Sequence, residues 1–195
     1  MSVHRFKRDA LQATPWKNGG GTTREIACWP PGAGLDNFDW RVSIATIAAS
    51  GPLSAFDGVD RTIMLLDGDG VLLQGDGVAH RLDRPNTPFA FSGDVPLDCT
   101  LLGGTSSDFN VMSRRATCKA DVMVIEHAQT LGVVPDGLLL SLAGGWRTGN
   151  ETLARGEGLW WADSPTCWAL EPLTPDARLV AVRWSLIPNS STPMK

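Results

Sequence analysis

A chain of 195 residues with 43% apolar side chains can bury a full core, as one large domain or two small barrels, so a disordered chain is excluded. Lysine and arginine number 17 against 21 aspartates and glutamates, a net charge of −4, which excludes the long-range positive field of a nucleic-acid or membrane-surface binder; any anion site has to be local. The opening Met1-Ser2-Val3-His4-Arg5-Phe6-Lys7 lacks an apolar signal core and no uncharged apolar run nears the roughly 20 residues of a membrane helix, so a cytoplasmic address is expected.

In chain order, the first feature is Lys17-Asn18-Gly19-Gly20-Gly21-Thr22-Thr23-Arg24, which combines a cation, an amide, hydroxyls and three glycines whose peptide N–H groups can approach an anion without Cβ interference. The lysine precedes the glycines, so this is not a P-loop; it reads as an anion site or as a glycine-rich turn with exposed Lys17 and Arg24. Alternating apolar segments follow at 24–29, 40–45, 62–66 and 109–113, each bounded by turn-forming Gly, Pro or Asp, and predict short strands. With 21 glycines and 13 prolines at such intervals, the fold class is all-β, a sandwich or barrel. The hairpin-rich stretch 63–103 has an echo at 138–184: segments 64–70, 88–94 and 98–102 are answered in order by 138–145, 156–163 and 178–184, which predicts two barrels. The tail 188–195 is rich in Ser, Pro and Asn and is expected to fray.

Charged residues sit at regular places in this pattern. In 40–45, Trp40, Val42 and Ile44 share one face while Arg41 and Ser43 share the other; a solvated face is the simpler account of Arg41, a barrel mouth the alternative. Arg61 stands at a strand entrance, either at a pocket rim or in an ion pair with Asp60. Asn110, Met112 and Arg114 alternate with Phe109, Val111 and Ser113, placing an amide, a thioether and a guanidinium on one face suited to gripping a carboxylate; Arg115 reads as the start of a surface loop. His4, His80 and His127 are isolated and no run of oxygen donors resembles a calcium loop, so no metal and no other cofactor is expected. Cys28, Cys99, Cys118 and Cys167 show no C-x-x-C spacing and read as buried thiols. There is no G-x-S-x-G elbow, but Glu25, Asp60 or Asp108 could act as a base if buried beside the cations.

The segment Pro15-Trp16-Lys17-Asn18-Gly19-Gly20-Gly21-Thr22-Thr23-Arg24-Glu25-Ile26 resembles the N-terminal signature of the HutD/Ves family, and 38–45, 50–61 and 108–115 resemble further family blocks in the same order, so that the likeness covers essentially the whole chain. The resemblance implies a cupin-type double-stranded β-helix (jelly roll) in two tandem lobes, a bicupin. An N-terminal lobe at 1–120 would carry the ligand pocket, followed by a cupin-like lobe at 121–195, with strands shared between them. It implies a bacterial protein tied to histidine utilization in one branch and to stress response in another, binding a small carboxylate such as N-formylglutamate in a regulatory or accessory role. On this reading Trp16, Lys17, Asn18, Arg24, Arg61, Asn110, Met112 and Arg114 line the pocket. One alternative is a metal-free cupin enzyme, an isomerase or hydrolase of an acyl amino acid or sugar, with Glu25 or Asp60 transferring the proton. Another is an interaction module resting on Trp160, Trp161 and a free sheet edge. The expected partners are a small anionic metabolite and a second copy in a homodimer, with no nucleic acid and no membrane.

Overall fold

Alternation of apolar and polar residues forces strands here, and the computed structural model, which describes residues 2–187, contains nineteen of them. After β1 (Val3–Lys7) and one 3-10 turn at Arg8–Ala10 come β2 (Ala13–Pro15), β3 (Gly21–Trp29), β4 (Trp40–Ile47), β5 (Gly51–Leu53), β6 (Val59–Asp67), β7 (Val71–Gly75), β8 (Val78–Leu82), β9 (Phe89–Ser92), β10 (Leu97–Leu101) and β11 (Ser106–Arg114). The second half supplies β12 (Cys118–Ile125), β13 (Gln129–Val134), β14 (Asp136–Ala143), β15 (Trp146–Thr148), β16 (Glu151–Leu153), β17 (Glu157–Trp161), β18 (Thr166–Pro172) and β19 (Arg178–Leu186). The tail 188–195 lies outside the described residues. No helix of the described residues is long and apolar enough to cross a membrane.

Each lobe pairs a large sheet with a small one. The first has β2-β3-β4-β11-β6-β9 against β5-β10-β7-β8; the second has β1-β17-β14-β19-β12 against β13-β18-β15-β16. The order β4-β11-β6-β9 returns as β12-β19-β14-β17, and β5-β10-β7-β8 as β13-β18-β15-β16, so every strand from β4 to β11 has its counterpart eight strands later. The expected echo is therefore present with one correction: segment 98–102 is β10, whose counterpart is β18 and not β19. The expected boundary at 120/121 falls inside β12, and β1 crosses over to pair with β17, reinforced by a Lys7–Glu157 ion pair of 2.7 Å. The first residues thus clasp the second lobe before the chain enters the first.

The two large sheets pack back to back. Trp40, Val42, Ile44, Phe109 and Val111 of one meet Leu138, Val180, Val182 and Trp184 of the other, with Trp40 and Trp184 stacked at 4.3 Å between ring centroids. Burying each such side chain is worth roughly 1.5–3 kcal/mol, so this face fixes the register of both sheets. Strand periodicity then turns every alternate residue the other way, into the barrel of its own lobe.

Candidate functional site

The inward faces of the first lobe's large sheet carry Arg41, Ser43 and Ala45 on β4, Arg61 and Ile63 on β6, and Asp108, Asn110 and Met112 on β11. With Thr23 and Glu25 of β3 and the segment 14–18 they line a cavity of about 810 Å3. The facing wall is apolar, made by Leu53, Val71 and Leu73, with Ile47 of β4 closing the end of the large sheet's own face. That volume lies within the roughly 300–1,000 Å3 usual for small-molecule sites.

Arg61 is the most tightly held cation in the cup and is 8% exposed. Its Nε and Nη2 donate to Asn110 Oδ1 at 3.4 and 3.2 Å, and its Nη1 donates to the Ser54 carbonyl at 3.2 Å. The guanidinium carbon lies 5.2 Å from the Phe91 ring centroid and 5.7 Å from that of Phe56. A guanidinium has five N–H donors, so two remain without a partner among the described residues. Desolvation lowers its pKa to about 10, which leaves it charged at neutral pH and short of counter-charge.

Asp108 shares the cavity and is 7% exposed. Burial pushes its pKa up to about 7; the charge of Arg61 opposes that rise, and no hydrogen bond contributes. Glu25, more exposed, accepts from Arg41 Nε at 2.7 Å, while Arg41 Nη1 approaches Met112 Sδ at 3.9 Å. The face carrying Arg41 is thus the barrel interior and not a solvated exterior.

Of the eight residues assigned to the pocket from sequence, six line it: Trp16, Lys17, Asn18, Arg61, Asn110 and Met112. Arg24 does not. It pairs in register with Ile44, whose side chain faces the lobe interface, so alternation turns Arg24 away from the cup while Thr23 and Glu25 face it; Arg24 Nε donates to the Leu11 carbonyl at 3.3 Å. Arg114 lies past the rim, donating to the carbonyls of Phe38 and Asp36 at 2.9 and 3.0 Å and covering the Phe38 ring, so it pins the 30–39 loop. Asp60 is outside the cup and pairs with Arg115 at 2.6 Å, not with Arg61, which removes it as a base for chemistry there.

The glycine run forms a turn. Gly19 N–H donates to the Trp16 carbonyl and Gly20 N–H to Asn18 Oδ1, both at 3.0 Å, so these two groups do not form the anticipated anion nest. A Cβ on Gly21 would overlap the Thr46 carbonyl and crowd the Trp16 ring, so the glycine lets the indole lie against the sheet, where its Nε1 donates to Thr23 Oγ1 at 2.8 Å. Trp161 is fully buried and Trp160 stacks on His4 at 4.1 Å, so the pair is not a free surface. Cys167 is exposed, against the expectation of a buried thiol.

The repeat supplies an internal control. Arg61 stands opposite Met112 and Phe91; the matching position on β14 is Gly137, opposite Arg183 and Trp161. By the same registers Asn110 corresponds to Ala181 and Asp108 to Leu179. The second barrel is filled by Trp146, Trp161 and Trp168, and a Cβ on Gly137 would overlap the Trp161 ring. One copy of the fold therefore stands with an apolar plug where the other holds Arg61, Asn110 and Asp108.

Among the described residues, no three His, Cys, Asp or Glu side chains gather as a metal site. The HutD family model matches residues 8–176. Protein Ves of Citrobacter koseri is 39% identical over 176 residues, covering 89% of this chain and 90% of the relative. HutD from Pseudomonas fluorescens SBW25, solved in a formate condition, superposes with a TM-score of 0.84 at 29% identity, covering 95% of this chain and all of that one. A cupin 2 conserved barrel domain protein from Leptotrichia buccalis, at 9% identity and a TM-score of 0.62 over 95% and 98% of the two chains, shares the fold, which is that of the cupins.

Proposed function

Since the chain belongs to the HutD family, we propose that its first lobe binds a small carboxylate metabolite and that the second lobe is a packed support. The observation that carries this is the contrast between the lobes: Arg61, Asn110 and Asp108 are buried polar groups at positions where the second lobe folds with Gly137, Ala181 and Leu179. Burying such groups costs folding free energy, and the fold does not require them. A carboxylate supplies what they lack, two acceptor oxygens for the unused Arg61 donors.

N-formylglutamate, or another carboxylate of histidine breakdown, is the proposed ligand, with a regulatory or accessory role in the cytoplasm. The formate condition of the Pseudomonas fluorescens structure is chemically compatible with this, formate being the smallest carboxylate. Titration calorimetry with N-formylglutamate, urocanate and glutamate, followed by mass spectrometry and NMR of the recovered ligand, tests the proposal. Saturable binding with unaltered ligand supports it; absence of binding by all three overturns it.

A second reading, a metal-free isomerase or hydrolase, is favoured by one observation, the carboxyl of Asp108 inside the cup with its pKa near neutrality. Asp108 replaces Glu25 and Asp60 as the proton-transfer group on this reading, because Glu25 is tied to Arg41 and Asp60 is outside. Chemically altered ligand in the same experiment, lost in Asp108→Asn, would select it.

A further inference from the structure

We propose that Asp108 is a second recognition group of this cup, holding the bound oxyanion as the neutral acid, so that an anion captured by Arg61 brings a proton with it. This rests on the carboxylate-binding reading and names the group that, with Arg61, selects the ligand's head.

The placement comes first. Asp108 lies two residues from Asn110 on the same face of β11, about 7 Å along the strand, and Asn110 is the residue that holds Arg61. Its neighbour on β4 is Ala45, a small side chain that leaves room above the carboxyl. On the β6 side the register slips between Ser107 and Asp108, the kind of irregularity that re-aims a side chain at functional sites.

Few charges face this carboxyl. Arg61 comes from β6, Arg41 from β4, and Glu25, tied to Arg41, from β3; Lys17 stands at the exposed rim. From β10 comes Cys99, whose thiol burial and the charge of Asp108 push up to about 11, and from β7 only Val71 and Leu73. Neither His4, His80 nor His127 lines the cup.

Arg61 is the charge that favours the ionised form of Asp108. An anion on Arg61 removes that support and adds a second negative charge to the same water-poor space, where two neighbouring carboxylates do not both stay ionised. Taking up a proton relieves the repulsion and converts Asp108 from an acceptor into an O–H donor for the ligand's oxygen. The head selected is a carboxylate, with one lone pair for Arg61 and another for the acid, in preference to a neutral amide.

The test is calorimetric titration of the full chain with N-formylglutamate at pH 6, 7 and 8, at each pH in two buffers of different ionisation heat; the ligand stays fully ionised throughout. Proton uptake should be small at pH 6 and approach one per site at pH 8, with affinity falling about fivefold between pH 7 and pH 8. Asp108→Asn, its fold checked by circular dichroism, should bind with no uptake and little pH dependence. Binding without uptake by the unmodified protein at pH 8, or equal uptake by the variant, overturns the role of Asp108 and leaves the binding site standing. Absence of binding at pH 6 overturns both.

Discussion

Asp108 should make the ligand-free protein less stable as the pH rises. Its carboxyl has an ordinary value of 3.8 and is raised to about 7 by burial. The folded state therefore holds this proton more tightly than the unfolded chain. The stabilisation from the protonated form is complete below pH 4 and is lost as the pH climbs through 7. A gap of about three units at 1.36 kcal/mol each sets the whole effect at about 4 kcal/mol, of which about 3 kcal/mol falls between pH 5 and pH 8. Urea unfolding at pH 5, 6, 7 and 8 reads it directly. The unmodified protein should lose stability across that window, and Asp108→Asn, which cannot ionise, should not, so the variant gains relative to the parent at pH 8. Parallel curves for the two proteins would refute the buried, ligand-facing placement of Asp108.

Other substitutions separate the cup from its surroundings. Arg61→Ala removes charged hydrogen bonds worth roughly 1.5–3 kcal/mol each to a ligand, so affinity for N-formylglutamate should fall by at least about 100-fold, while Arg24→Ala should bind as the parent does in the same calorimeter. Limited proteolysis should find the 30–39 loop cut faster in Arg114→Ala, because both carbonyl contacts to that loop are lost. The fourfold change Arg61→Gly, Phe91→Trp, Asn110→Ala and Asp108→Leu copies these positions of the second lobe into the first; it should retain the β-rich circular dichroism of the parent, melt no lower, and bind nothing. Gly137→Ala should cost about 1–3 kcal/mol in urea unfolding by overpacking the second barrel, with ligand affinity unchanged.

Strand alternation made the inward face of β11 legible in advance. Asn110 and Met112 both line the cup, and extending the same period back two residues reaches Asp108, which the sequence alone offers only as a conditional base. The same rule misled at Arg114, the last residue of β11, because the cup ends before the strand does and the side chain there turns to the loop beside it. Arg24 fails for the opposite reason. Its motif neighbours Thr23 and Glu25 face the cup, so by period two Arg24 cannot, and sharing a signature with site residues is no guide to direction. Arg41 looked like a solvated charge because its partner Glu25 is distant in the chain, and only the β3–β4 pairing brings them together. The plugging of the second lobe was out of reach without registers, since nothing in the local pattern around Gly137 announces that the Trp161 ring lies over it.

A crystal structure with N-formylglutamate bound measures the central claim most directly. The ligand's carboxylate should lie in the first lobe within hydrogen-bonding distance of Arg61 and next to Asp108, with no ligand among Trp146, Trp161 and Trp168. A carboxylate held instead by Arg24 or Arg114, or between Arg8 and Arg155 in the small polar cleft they line, would contradict the account.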